Sequence, residues 1–293
     1  MSFRKERRNV PGWVKGVIAA VVVVLITAGS LSVYLIERSE GQSDVVLGDT
    51  KSADRIDISV FVQKVDALAQ ELSAQVEIVP EGSFADDSGY PKQDLTVYTN
   101  GTKGDTLPFK AGQSPGTADV KMALNDGVIT DYPFDSYQID FDFAAQTKDE
   151  DIPVNVTFMN ADSFFRIKTG EATNTDGVLS FSASAQRSTG TFAFALFIML
   201  FMWFLSLAAV IAAWYAIGTR RGLLWPSMSF MGALLFALVP LRNALPGAPP
   251  IGSIADFGAF FIAEALISVS LITTVVIGYR VERAKDRAAS SAP

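Results

Sequence analysis

The chain has 293 residues, a net charge of −7 and 49% apolar residues, and those apolar residues gather into four runs instead of spreading through one soluble core. It contains neither cysteine nor histidine, which excludes disulfides, zinc sites built on those ligands, thiolate nucleophiles and Ser-His-Asp triads. Catalysis would have to use carboxylates, Lys or Tyr, and the expectation is a chain with no catalytic residue, cofactor or metal.

Residues 1–15 carry Arg4, Lys5, Arg7, Arg8 and Lys15, and an apolar run over 16–36 follows at once. At about 1.5 Å rise per residue that run is long enough to cross a bilayer core. A cleaved signal peptide would be shorter in its hydrophobic part, so the length favours a retained anchor.

Over 37–190 the composition turns acidic, with 26 Asp and Glu against 12 Lys and Arg, while the remainder of the chain holds 12 basic and 5 acidic residues. Short alternating segments recur here, including Ile56/Ile58/Val60/Val62, Leu72/Ala74/Val76/Ile78, Val120/Met122/Leu124, Val154/Val156/Phe158 and Leu179/Phe181/Ala183/Ala185. About eight such strands, separated by turns such as Asn100-Gly101, predict an antiparallel β-sandwich. Asp66 to Gln75 is also readable as a short helix. The most organised stretch is Asn125 to Phe143. Asp126-Gly127 makes a turn, Tyr132-Pro133-Phe134-Asp135 a corner, and Tyr137, Ile139, Phe141 and Phe143 then alternate with polar residues on one strand.

The last strand passes through Arg187 into a Phe-rich apolar run over 192–217 without a linker. The Arg220-Arg221 loop, a third run over 223–241, a Pro-rich loop over 242–256, a fourth run over 257–279 and a basic tail over 280–293 complete the chain. Short cytoplasmic loops are enriched in Lys and Arg, which places both termini and the Arg220-Arg221 loop in the cytoplasm. Four crossings then put the β-domain and the Pro-rich loop outside. The expected architecture is a membrane α + β protein, with an external antiparallel sandwich inserted between the first and second of four transmembrane helices. Rows of small residues, Ser229/Ala233/Ala237 and Ala209/Ala213, suit close helix approach.

Glu264 stands out as a carboxylate within the fourth run, readable either as an ion or proton site or as a buried hydrogen-bonded acid that locks helix packing. Trp203, Thr27 and Ser30 are at similar depth. Arg242 and Asp256 flank the Pro-rich loop at matching height and are expected to pair. The acidic residues Asp140, Asp142, Asp149, Glu150 and Asp151 read as a solvated face more readily than a cation site, and Asn174, Asp176 and Gly177 lack the opening Asp and closing Glu of a calcium loop.

Two resemblances add to this reading. The YPFDSY corner and the LRNALPGAPPIG segment resemble a family of four-helix membrane proteins of actinobacteria that carries a domain-of-unknown-function name, which implies a cell envelope setting and no activity. More locally, Tyr132, Pro133, Phe134 and Asp135 are similar to the aromatic-Pro-Phe-Asp-x-Gln corner of pentameric ligand-gated channels, with Tyr137 where their Gln stands and Gln138 one place late. The direct strand-to-helix passage over 185–192, and Arg242, Asn243, Leu245, Pro246 and Asp256, are also similar to features of those channels. Those channels place three further helices after the first that follows the sandwich; here there are two, and the N-terminal helix runs in the direction of the missing one. That resemblance implies ion conduction, but after Ser227 and Ser229 the third run lacks the polar residues that line a wet pore.

The functional expectation is therefore a plasma-membrane protein that binds or senses through its outer domain, alone or as an accessory subunit. Its partners would be the lipid bilayer and an envelope protein or a second copy, with no nucleic acid. The alternative is a channel or transporter. Tyr132, Pro133, Phe134, Asp135, Arg242, Asp256 and Glu264 are the candidate structural or coupling residues.

Overall fold

Period-two alternation of apolar residues brings two sheets together face to face in a computed structural model, which describes residues 11–40, 44–48, 50–148, 150–219 and 222–290. The elements run α1 (Gly12–Glu40), β1 (Val45–Gly48), β2 (Arg55–Asp66), β3 (Glu71–Glu81), β4 (Leu95–Thr99), β5 (Thr106–Phe109) and β6 (Ala118–Ala123). They continue with β7 (Ser136–Thr147), β8 (Asp151–Ile152), β9 (Val154–Asn160), β10 (Phe165–Thr169), β11 (Thr173–Thr175) and β12 (Val178–Arg187). Three helices follow: α2 (Thr189–Gly218), α3 (Trp225–Asn243) and α4 (Phe261–Ser290), the last preceded by a π-helical turn, Asp256–Phe260.

One sheet has the order β1-β9-β2-β3-β6 and the other β10-β12-β7-β4-β5, with β11 added to β12 and β8 to β7. Ile58 and Val60 of the first sheet and Phe141, Phe143 and Phe181 of the second are all buried in one core. Phe158 closes it from the first sheet, meeting Phe141 edge to face at 5.4 Å and Phe181 at 6.1 Å.

The expectation of a wholly antiparallel domain needs correction, because β2 and β9 pair in parallel. A parallel pair requires a long crossover, and here the chain between them builds β3 to β8, including most of the opposite sheet. The alternative reading of Asp66 to Gln75 as a short helix is also overturned, in favour of the strand read from Leu72, Ala74, Val76 and Ile78. Leu72, Ala74, Val76 and Ile78 are buried on a strand hydrogen-bonded on both sides, to β2 and to β6. Pairing on both edges outweighs the local helical propensity of Ala, Leu and Gln. The turn ahead of it contains Gln70 at φ 57°. Strand β5 escaped sequence analysis because it is short and contains Pro108, which an edge strand tolerates.

All four helices are long and apolar enough to cross a membrane. A second core joins α2, α3 and α4, with Ala209 and Ala213 buried within it. The row Ser229/Ala233/Ala237 does not take part as expected. Ser229, Ala233 and Ala237 face outward, and Met231, Leu234 and Leu238 supply the buried side of α3. Helix α1 has α2 as its main neighbour and leaves most of its surface exposed. Arg4, Lys5, Arg7 and Arg8, Asp149, and the Arg220-Arg221 loop lie outside the described residues.

Truncation of Phe141 to Ala is expected to cost about 3–5 kcal/mol in thermal or denaturant unfolding, whereas Tyr98→Ala, on an outer face, should stay within about 0.5 kcal/mol.

Candidate coupling site at the junction of sheets and helices

Strand β12 alternates buried Leu179, Phe181, Ala183 and Ala185, and that parity brings Arg187 onto the same inward face at the strand's last position. The next residue, Ser188, caps α2 by accepting a hydrogen bond from the Thr191 N–H at 3.3 Å. Arg187 is thus the last residue of the sheet and the neighbour of the first helical turn. Its charge is buried, with 3% of the side chain exposed.

Its counter-charge arrives from the corner that precedes β7. Asn125 pairs with Gln138 through both backbone hydrogen bonds, and Gly127 packs so closely on Tyr137 and Ser136 that a Cβ there would collide with the ring. After a 3-10 turn over Ile129–Asp131 and a cis Tyr132-Pro133 peptide, the chain buries Tyr132 among the helices and returns Asp135 toward the sheets. Arg187 Nε donates to Asp135 Oδ1 at 2.9 Å, and its Nη2 donates to Oδ2 at 2.8 Å. The Tyr137 hydroxyl donates to Oδ2 at 3.0 Å. The guanidinium is stacked 4.1 Å from the Phe165 ring centroid and 5.0 Å from that of Tyr132, a cation–π arrangement that compensates part of its desolvation.

The third side of Arg187 meets the Pro-rich loop. Gly247 has φ 75°, and a Cβ on it would lie 2.6 Å from Arg187 Nη1, so the loop comes this close because that position is glycine. The loop is itself clasped by Arg242 and Asp256. Arg242 Nε and Nη2 donate to the two carboxylate oxygens at 2.8 and 2.9 Å, and Nη2 also reaches the Pro250 carbonyl at 2.9 Å. Asp256 Oδ2 accepts from the Gly252 N–H at 2.7 Å and the Ser253 N–H at 3.2 Å. One fully buried carboxylate therefore fixes both ends of the loop.

Tyr132 stands between these two ion pairs. Burial holds its hydroxyl neutral well above the usual phenol range, against the opposing influence of Arg187 and Arg242. Burial and the adjacent Asp135 carboxylate do the same to Tyr137. The Tyr132 hydroxyl has no hydrogen-bond partner among the described residues. Pro133 is buried beside it, and Phe134 projects outward to meet Phe192 of α2 edge to face at 5.4 Å.

Glu264 is not part of this assembly. Of its two readings, the buried, hydrogen-bonded acid is overturned, since its side chain lies on the exposed face of α4. Trp203, at similar depth by residue count, gives its indole N–H to the Gly258 carbonyl at 3.0 Å instead. That carbonyl lies in the π-helical turn. Thr27 bonds back to the Val23 carbonyl of its own helix.

Sequence analysis missed Arg187 as the partner of Asp135, although a cation on the apolar parity of a strand was a readable signal. It also missed Glu37, whose Oε2 accepts from the Gly190 N–H at 2.6 Å and ties the end of α1 to the start of α2. No cluster of three metal-ligating side chains occurs among the described residues. Asp176 and Gly177, at φ 50° and 78°, form the hairpin turn between β11 and β12.

Two family descriptions together match residues 46–281. Residues 46–187 match a domain of unknown function, DUF4436, and residues 187–281 match another, DUF8686. The two matches meet at Arg187, where sheet gives way to helix. No curated protein matches the chain.

Removal of either partner of the buried pair, as Arg187→Ala or Asp135→Ala, is expected to cost about 3–5 kcal/mol. The double variant should cost clearly less than the sum, and additivity would mean that the two charges do not interact. Tyr132→Phe should be close to neutral at pH 7, because it removes a hydroxyl that has no partner. At alkaline pH the unfolded chain releases its tyrosine protons near the ordinary value of about 10, while Tyr132 and Tyr137 keep theirs in the fold. The folded state then binds more protons, so stability falls as pH rises above about 10. The variant with Phe at both positions should show a shallower fall.

Proposed function

We propose that this is a plasma-membrane protein of the cell envelope whose acidic two-sheet domain stands outside the cell and binds a ligand or partner, passing the event to the helices through Arg187. The observation that carries this reading is the convergence on one buried guanidinium of the last strand, the 132–135 corner and the Pro-rich loop. A displacement of the sheets that moves Asp135 strains the pair, and Gly247 and Tyr132 are in contact with the same group. Such a chain of packed groups is the physical form that coupling between sites takes.

Orientation rests on charge and geometry together. The β-domain and the loop over 244–255 lie at the same end of the helices, and Arg280, Arg283, Lys285 and Arg287 lie at the other end of α4, as the excess of basic residues on cytoplasmic segments requires. The two family matches are to domains of unknown function and supply no activity. The non-catalytic reading follows from the absence of Cys and His in the sequence and from a junction whose charges are paired with one another.

A second reading, a homo-oligomeric channel or transporter, is favoured by one observation. A carboxylate on the outward face of an apolar helix is costly against lipid, and a second copy or a water-filled path would relieve Glu264 of that cost. Purified protein in liposomes separates the readings. Ion flux that disappears in Glu264→Ala supports conduction, and a silent monomer rules it out.

Hydrogen exchange tests the coupling itself. In Arg187→Gln the amides of the loop over 244–255 should exchange about tenfold faster or more, since each 1.4 kcal/mol is about a factor of ten. Phe141→Ala, which weakens the sheets without touching the junction, should leave them slow. Equal protection of the loop in wild type and Arg187→Gln contradicts coupling through Arg187.

A further inference from the structure

The end of the β-domain that meets the helices has its own surface chemistry. Three segments reach it: the β2–β3 turn, the corner before β7 and the β9–β10 loop. The first and third are bound to each other, since Val65 N–H donates to Asp162 at 2.7 Å, and the third is bound to the cap of α2, since Ser188 N–H donates to the Phe164 carbonyl at 2.9 Å and the Ser188 hydroxyl to the Ser163 carbonyl at 3.0 Å. Each segment nevertheless turns a large apolar side chain outward. Leu68 is 71% exposed, Val128 57%, Phe134 56% and Phe164 44%. Among the described residues these are four of the five most exposed large apolar side chains of the β-domain, so the clustering at one end is not the ordinary scatter of surface hydrophobics.

Two observations identify what covers them. The patch adjoins the start of the apolar α2, because Phe134 rests on Phe192; elsewhere around that helix Phe194, Phe197 and Phe201 form an exposed ladder with ring centroids 6.4 and 5.9 Å apart. Three of the four also have acidic neighbours in sequence: Asp66 near Leu68, Asp126 and Asp131 around Val128, and Asp162 before Phe164. Large apolar groups interleaved with charges match the boundary between headgroups and acyl chains, where one part of a side-chain cluster is wet and another dry.

We infer that these three tips are inserted into the outer leaflet, so that the β-domain is seated on the lipid surface instead of being held above it by the helices alone. A cavity of about 370 Å³, lined in part by Leu68, Ile129, Phe164 and Ala248, lies at the same level and offers space for an acyl chain. Lipid contact then acts on the segments that hold Arg187, which makes the bilayer a participant in the coupling. The inference rests on the membrane reading proposed above.

The chain contains no cysteine, so each of Leu68→Cys, Val128→Cys, Phe134→Cys and Phe164→Cys introduces a single thiol for a nitroxide label, at a position already exposed. The labelled proteins, in vesicles of phosphatidylcholine and phosphatidylglycerol, are compared with Phe201→Cys on α2 and Tyr98→Cys on β4. The expected result is that oxygen collides with the four tip labels more often than a water-soluble nickel chelate does, as at Phe201, while Tyr98 shows the reverse. Tips accessible to nickel beside an oxygen-rich Phe201 overturn lipid seating and leave the membrane reading intact. Nickel access at Phe201 as well overturns both. Low access to either reagent together with spin–spin broadening assigns the patch to a second copy and overturns lipid seating.

Discussion

Two charges removed from water at the end of β12 set the terms for everything around them. The Coulomb attraction between Arg187 and Asp135 offsets their desolvation only if geometry is good and the remaining polar atoms are satisfied. The protein meets that condition with a forked ion pair, the Tyr137 hydroxyl and two aromatic faces. These partners come from two separate places in the chain, residues 132–137 and Phe165 of β10. The pair therefore forms only when β7, β10, β12 and the 132–135 corner are all in position, and it ties the order of the sheets to the start of α2.

The second pair has a different geometry for a related task. Arg242 and Asp256 are separated by 14 residues and close a loop between α3 and α4, and the carboxylate also holds two backbone N–H groups of that loop. Loop closure by a buried carboxylate fixes Gly247, and Gly247 is what meets Arg187. Tyr132, between the two guanidinium groups, carries a buried hydroxyl that has no partner among the described residues. An unsatisfied polar group at the meeting point of two ion pairs is a place where a small rearrangement gains a hydrogen bond.

Much of the architecture was legible because the forces that build it act at short range in sequence. Four apolar runs gave four helices, and the alternation from Tyr137 to Phe143 gave the central strand of one sheet. The pairing of Arg242 with Asp256 followed from matching heights at the ends of adjacent runs. What escaped was decided by distant partners. Nothing local marks β2 and β9 as parallel neighbours, since 98 residues separate the paired Ile56 and Val154. The Asp66 to Gln75 segment has helical composition and becomes a strand because β6 waits on its far side. Asp135 was singled out, but its partner lies 52 residues away. Glu264 was expected to be buried because burial is the usual way to accommodate a carboxylate in an apolar helix, and the outward face it occupies is settled by helical phase relative to Ile267 and Ala263.

Unfolding followed separately in the two parts of the molecule tests most directly whether Arg187 joins them. All four tryptophans, at 13, 203, 214 and 225, lie outside the β-domain, so their fluorescence reports the helices, while circular dichroism at β wavelengths reports the sheets. In the wild-type protein the two signals are expected to change in one shared transition, and in Arg187→Ala the sheets should melt first and the helices later. Separate transitions in the wild type, or a single shared one in Arg187→Ala, would contradict the account.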